Sequence, residues 1–299
     1  MASSYVLTNN GLKIAIDRFT NSSPTRTALS KFQVGIGTTA AAFTDSALGN
    51  SVPITGIEQV DACDVTTGWT DSADCTLSVN STTYLQGSGS LNITKDGSAS
   101  TTCSTYKTTT SLSFASKILA VWLYIKDTTT LNKLEATGTA VAVNFGNDGS
   151  NNWRWNFLKS ELSTGWNYLG SLSPSNADTT TGSPSTAACD YTAISIYSAN
   201  TSDTWSDGDL IFDNIFLAEA ADYYKTVESS YPSADYTNYE VTYRSRITST
   251  QCNGHNLTEV GLANTDGTIL LGTRGTFNPV SKSNTDELII QEIISFDNR

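Results

Sequence analysis

The stretch Trp205-Ser-Asp-Gly-Asp-Leu-Ile-Phe-Asp-Asn-Ile-Phe-Leu217 limits the fold more than any other part of this chain. It opens on a turn signal, Asp207-Gly208, and runs into Leu210, Ile211, Phe212, Ile215, Phe216 and Leu217. Successive side chains of a strand point to opposite sides, so apolar residues on both parities predict a strand buried on both faces. Asp213 and Asn214 interrupt that run. A carboxylate among apolar side chains needs a compensating partner. A metal ion, or a hydrogen-bonded turn across the strand, is therefore expected here.

Most of the remaining chain also reads as strand, because Thr, Tyr, Val and Ile are plentiful and few long segments favour helix. Ile118–Ile125 is the most apolar run and is expected to be central. Val141–Phe145, Asn152–Phe157, Gly165–Leu169 and Ala193–Tyr197 follow at regular spacing. With the closing strand and the segments Val60–Asp64 and Gly87–Ile93 they make about eight or nine strands, a number that fits two packed sheets. Near the carboxy terminus, strands are predicted at Tyr239–Tyr243, Leu257–Leu262, Thr268–Leu271 and Leu288–Phe296, with a hairpin turn at Asn264–Gly267. One helix is predicted: Leu12, Ala15, Ile16 and Phe19 recur at helical spacing behind Asn9-Asn10, leaving Lys13, Asp17 and Arg18 outward. It is short and must pack on another element to persist.

The formal charge of -12 argues against nucleic acid as a partner, since phosphate binding requires clustered Lys and Arg. No apolar run is long enough to span a membrane as a helix. Five cysteines (Cys63, Cys75, Cys103, Cys189 and Cys252) show no Cys-x-x-Cys spacing, and with one histidine the usual zinc sites are not expected. An odd count at wide spacing reads as buried free thiols, or as one disulfide such as Cys75–Cys103. His255 reads as a loop tip, with no nucleophile triad around it. Asp203, Asp207, Asp209 and Asp213 could be weighed as hydrolytic carboxylates. Acids gathered in a turn are, however, more often solvated or metal-bound, so no enzyme is predicted.

Several segments resemble the jelly rolls of carbohydrate-binding modules. These are Val60-Asp-Ala-Cys-Asp-Val-Thr-Thr-Gly-Trp69, Gly87-Ser-Gly-Ser-Leu-Asn-Ile93, Gly165-Trp-Asn-Tyr168 and Phe212-Asp-Asn214. The resemblance implies a structural calcium held between an acid of the first strand and the aspartate of the last, nominating Asp61 or Asp64 with Asp213. Here the usual acidic pair is interrupted by Ala62 and Cys63, and the alternative is that these aspartates are solvated or hydrogen-bonded at strand ends. Sugars stack on exposed aromatic faces while amides take their hydroxyls. Trp153, Trp155 and Trp205 are the candidate carbohydrate-binding residues. Trp153 and Trp155 share one face of a strand, and Asn152, Arg154 and Asn156 share the other. If the tryptophans face inward they are core; if outward, they form a sugar platform. Trp69, Trp122 and Trp166 read as core, and Trp205 as a turn residue open to solvent.

The two ends of the chain resemble something else. Lys31-Phe-Gln-Val-Gly-Ile-Gly-Thr-Thr39, and the run from Leu257-Thr-Glu-Val-Gly-Leu262 through Arg274-Gly-Thr-Phe-Asn-Pro-Val-Ser-Lys282 to Phe296, are similar to tail-fibre and collar-adaptor proteins of tailed-phage virions. The two resemblances together imply an all-β protein: a jelly-roll β-sandwich over 57–221, inserted into a smaller discontinuous base domain, 1–56 plus 222–299, that carries the short helix. They imply a non-enzymatic structural role on a virion surface, as a head decoration or cement protein or as a short tail fibre or adaptor. Other virion proteins, glycans and further copies of the chain (a dimer or trimer) are the expected partners. Met1–Thr8 lacks the basic and apolar regions of a secretory signal, which suits synthesis in a host cytoplasm. The alternative is a carbohydrate-binding module of a polysaccharide-degrading system.

Overall fold

A computed structural model describes residues 2–296 apart from 56, 73, 86, 98–99, 253–254, 266–269 and 284. The predicted hairpin turn at Asn264–Gly267 lies partly outside the described residues. Among those described, the chain forms 21 strands and two short α-helices. It divides into two compact units, one of Met1–Ile57 with Ala220–Arg299 and the other of Glu58–Glu219. The architecture is all-β, a sandwich inserted into a smaller discontinuous β-rich base that carries one short helix.

The inserted unit is built from two antiparallel sheets. In the first, the strands run in the order Gly165–Leu172, Lys117–Ile125, Trp205–Glu219, Ser90–Lys95, Cys75–Asn80, with Glu58–Asp61 also paired to Trp205–Glu219. In the second, the order is Thr179–Thr181, Asn151–Leu158, Thr139–Asp148, Cys189–Tyr197, Thr102–Leu112, Trp69–Asp71. Their inner faces share one apolar core, which includes Leu123, Val143, Phe145, Trp153, Trp155, Ile194 and Phe212. A disulfide between Cys75 and Cys103 ties a strand of one sheet to a strand of the other, while Cys63, Cys189 and Cys252 are buried thiols.

The strand Trp205–Glu219 owes its double-parity pattern to a bulge. Asn214 adopts φ +51°, and the register with both flanking strands shifts at this point. One extra residue reverses the parity. Leu210 and Phe212 before the bulge, and Ile215 and Leu217 after it, therefore all reach the same core. Ile211 and Phe216 on the opposite face are buried as well, and Trp122, Tyr168 and Phe216 stack in series there. The bulge is satisfied by one side chain: Gln59 Nε2 donates to Asn214 Oδ1 at 3.1 Å, to the Asp61 carbonyl at 2.7 Å and to the Ile215 carbonyl at 2.8 Å.

In the base, Ala2–Leu7, Leu271–Ser281, Asn256–Ala263, Lys31–Gly35 and Lys225–Thr226 form a sheet in that order, and Ser51–Val52 pairs with Lys31–Gly35. A second sheet holds Ser233–Asp235, Glu240–Ile247 and Leu288–Ser295. The helix Asn9–Thr20 is capped by Thr8, whose side chain accepts from Gly11 N, rather than by the asparagines. The expected apolar stripe is also rotated outward. Gly11 and Ile14 are buried, whereas Leu12, Ile16 and Phe19 are exposed, Phe19 by 77 %. The cause is Gly11: a Cβ there would collide with the Gly272 carbonyl, so the helix backbone closes on the sheet at the one residue that permits it.

The end-segment motifs prove to be one ionic pin. Glu259, fully buried, accepts from the backbone N–H groups of Gly37, Gly49 and Asn50 at 2.7–3.0 Å and from Arg274 at 2.8 and 3.0 Å. Arg274 reaches on to Asp45 at 2.7 Å and to the Thr39 carbonyl at 3.1 Å. The loop after Lys31–Gly35 is thus fastened to two neighbouring strands. His255 is a correction: it is buried rather than at a loop tip, and burial holds its imidazole down at about 4, so it is neutral.

Candidate ligand-binding groove

The strand Asn151–Leu158 decides which face of the second sheet is chemically useful. Trp153 and Trp155 point into the core, where Phe114 meets their rings at 5.7 and 6.2 Å, and Trp155 Nε1 donates to Asn176 Oδ1 at 2.9 Å. Trp205 is 2 % exposed and closes the pairing with Lys95. None of the three presents a ring to solvent, so the expectation that they form a sugar platform is corrected. Their indoles fill the space between sheets because that is where an aromatic side chain removes most apolar surface from water. Of the other tryptophans, Trp122 is core, whereas Trp69 and Trp166 are half-buried.

Period-2 geometry then sends Asn152, Arg154 and Asn156 to the outer face. Register places three rows of side chains across the sheet. One runs Thr181, Asn152, Gly146, Tyr191, Thr108; the next Thr179, Arg154, Asn144, Ala193, Tyr106; the third Asn156, Ala142, Ser195, Ser104. Gly146, Ala142, Ala193, Ser195 and Ser104 are small, and they occupy the middle of the sheet. On the same face a groove of about 470 Å³ is lined by Asn144, Asn152, Arg154, Asn156, Thr179, Thr181 and Tyr191 among others. Tyr106 stands beside Tyr191, ring centres 6.0 Å apart.

The polar groups are held in place. Asn144 Nδ2 donates to Asn152 Oδ1 at 2.8 Å, and Asn152 Nδ2 donates to the carbonyls of Asp148 and Gly149 at 3.1 Å each. Arg154 Nε donates to Asn156 Oδ1 at 2.8 Å, Nη2 donates to the Tyr197 hydroxyl at 2.7 Å, and the guanidinium lies over the Tyr197 ring. Burial, then the neighbouring Tyr106 and Asp148, raise the Tyr191 phenol above its ordinary value, so it is a hydroxyl donor at neutral pH. A groove lined by amides, hydroxyls and one guanidinium can hydrogen-bond a polyhydroxylated ligand. No carboxylate is among the described residues that line the groove.

The acidic trio lies elsewhere in this unit. Asp61 accepts from Lys107 Nζ at 2.6 Å and from Cys63 N at 2.7 Å. Asp64 accepts from Ser88 N and Gly89 N at 2.7 and 2.8 Å, and Gly87 (φ +74°) lets that loop close over its carboxylate. Asp213, fully buried, accepts from Leu85 N at 2.5 Å. Burial, followed by the charges of Asp61 and Asp213, pushes the Cys63 thiol well up, which places it near both acids. Calcium takes about six to eight oxygen ligands. Asp61, Asp64 Oδ1 and Asp213 Oδ2 accept from N–H donors and an ammonium, and among the described residues no three acidic, His or Cys side chains converge as a metal site. Lys107 gives Asp61 a positive partner of the kind that the resemblance implies would come from an ion.

No protein-family model matches the chain, and no curated protein sequence matches it. Among solved structures, a family 11 carbohydrate-binding module from Clostridium thermocellum, in complex with a β-1,3-1,4-mixed-linked tetrasaccharide, is similar at a TM-score of 0.38 and 10 % identity, over 55 % of this chain and 96 % of that one. A carbohydrate-binding module of the β-sandwich superfamily gives 0.36 and 11 %, over 64 % and 86 %. A family 22 xylan-binding domain from Paenibacillus barcinonensis gives 0.31 and 14 %, over 55 % and 99 %. At these scores the reading of ligand chemistry rests on the groove itself.

The groove was half legible. Period 2 places Asn152, Arg154 and Asn156 on one face, whereas Asn144, Tyr191, Thr179 and Thr181 join them only through the pairing of separate strands. The signal available for one wall was the alternation Tyr191, Ala193, Ser195, Tyr197, large at the ends and small between.

Proposed function

We propose that this chain is a non-catalytic binding protein whose inserted sandwich holds a saccharide along the outer face of its second sheet. One observation carries the reading: the side chains of Asn144, Asn156, Thr179, Thr181, Arg154 and Tyr191 line one groove on this face, with the Tyr106 ring beside Tyr191. The amides match sugar hydroxyls, and a tyrosine ring face gives an apolar partner to a pyranose ring. Titrating the full chain with a panel of oligosaccharides tests this. Asn144→Ala and Tyr191→Ala should each weaken binding by roughly 1 kcal/mol or more while leaving the melting temperature in place. Unchanged affinity in both variants would remove the groove from consideration.

We further propose a virion-surface location, with the discontinuous base as the attachment part. The exposed Leu12, Ile16, Phe19 and Phe296 of that base support it, since contiguous apolar surface marks a protein contact. Self-association into a dimer or trimer would use the same kind of surface. Mass spectrometry of purified particles, with labelled antibody to place the chain on head or tail, tests the location. Saccharide binding without particle association would favour instead a module of a polysaccharide-degrading system.

A further inference from the structure

We infer that the groove selects an anionic saccharide, one bearing a carboxylate such as a uronate, and that Arg154 is the specificity-determining residue. The inference rests on the groove reading above and adds the ligand's charge. In this unit Lys107, Lys117 and Lys126 are each paired with a carboxylate, respectively Asp61, Glu58 and Asp209, whereas Lys95, Lys133 and Lys159 donate to backbone carbonyls. Arg154 has no carboxylate partner among the described residues; the neutral side chains of Asn156 and Tyr197 hold it instead. Among the described residues that line the groove, Arg154 is the one charged side chain, so the charge it offers a ligand is positive although the chain's net charge is -12.

The geometry of its bonds matters as much as its charge. Nε and one hydrogen of Nη2 are committed, which leaves both hydrogens of Nη1 and the second of Nη2 without a protein acceptor. Those N–H groups form the planar fork that meets a carboxylate with two parallel hydrogen bonds. The acids bordering these strands do not compete for it. Asp148 accepts from Ser150 N and the Asn151 amide, and Asp178 accepts from Asn156 N. The Asn156 and Tyr197 contacts fix the guanidinium before any ligand arrives, so its ordering costs little on binding.

The test uses the full chain and uronate oligosaccharides beside their carboxyl-reduced, neutral counterparts, by calorimetry at low and at high salt. The uronate forms should bind about tenfold more tightly than the reduced forms, with the difference shrinking as salt rises. Arg154→Gln should abolish that difference, and Arg154→Lys should keep part of it, since charge remains and the fork is lost; a thermal melt confirms that both variants are folded. Equal affinity for charged and reduced ligands, or a preference that survives in Arg154→Gln, overturns the inference and leaves the groove reading standing. If no member of either series binds, and the neutral panel also fails, the groove reading and this inference fall together.

Discussion

Glu292 makes the stability of the base domain dependent on pH near neutrality. It lies on the inner face of Leu288–Ser295, between Ile290 and Ile294, and accepts from Thr273 Oγ1 at 2.9 Å. Burial is the main cause that raises its carboxyl to about 7 from 4.5; hydrogen bonds from Tyr5 and Thr273 pull the other way. Tyr243 is the other titratable group close enough to sense its charge, with Arg18 acting on that phenol in the opposite sense. A carboxyl whose pKa is raised on folding stabilises the fold in its protonated form. Its contribution is complete below about pH 4.5, declines as pH rises, and is gone above about pH 7. The shift of about 2.5 units, at 1.36 kcal/mol each, corresponds to roughly 3 kcal/mol between those limits. Glu292→Gln keeps the shape and removes the titration, so at about pH 8 the variant should be the more stable, by up to that amount, with little difference at about pH 5. All six tryptophans lie in the inserted unit, so indole fluorescence does not report on the base. Urea unfolding should instead be followed by hydrogen exchange in the 288–295 peptide, comparing variant and parent at the same pH. Asp17, Asp45, Asp235 and Asp286 have lowered values and lose their contributions only on stronger acidification, outside this window. If parent and variant follow the same pH curve across it, Glu292 is ionised in the fold throughout and the reasoning is wrong.

Glu259→Ala should cost about 3–5 kcal/mol, because it strands the buried guanidinium of Arg274 and unties three backbone N–H groups of the 37–50 loop. A loss under about 1 kcal/mol in the same exchange assay would show that Asp45 alone can hold the arginine. In the sandwich, chelators should leave the tryptophan-monitored melt where it is, whereas Lys107→Met should lower it by an amount on the order of 3 kcal/mol by leaving Asp61 buried without its cation. A chelator-sensitive melt would restore the ion-site expectation for Asp61, Asp64 and Asp213.

Local pattern alone carried much of this molecule. Alternation and apolar runs are enough to read Ile118–Ile125, Asn152–Phe157 and Leu257–Leu262 as strands, and the sandwich within a discontinuous base follows from the two resemblances. Thr102–Leu112 escaped notice because its Thr and Ser residues, exposed on one side and covered on the other, carry no hydrophobic alternation. Period 2 established that Trp153 and Trp155 oppose Asn152, Arg154 and Asn156, but parity has no sign. Only the arrival of Phe114 and the opposing sheet made one face interior and the other a groove. The helix shows the same limit: its spacing named an apolar stripe, yet the close approach at Gly11 turned that stripe outward. Asp61 is a metal-ligand candidate through the jelly-roll resemblance, and the pairing of two distant strands brings Lys107 to it. Sequence fixes which side chains share a face, because that is a property of one strand or one turn. Which face meets water, and which charge meets which, depends on atoms that are far apart along the chain and adjacent only once it has folded.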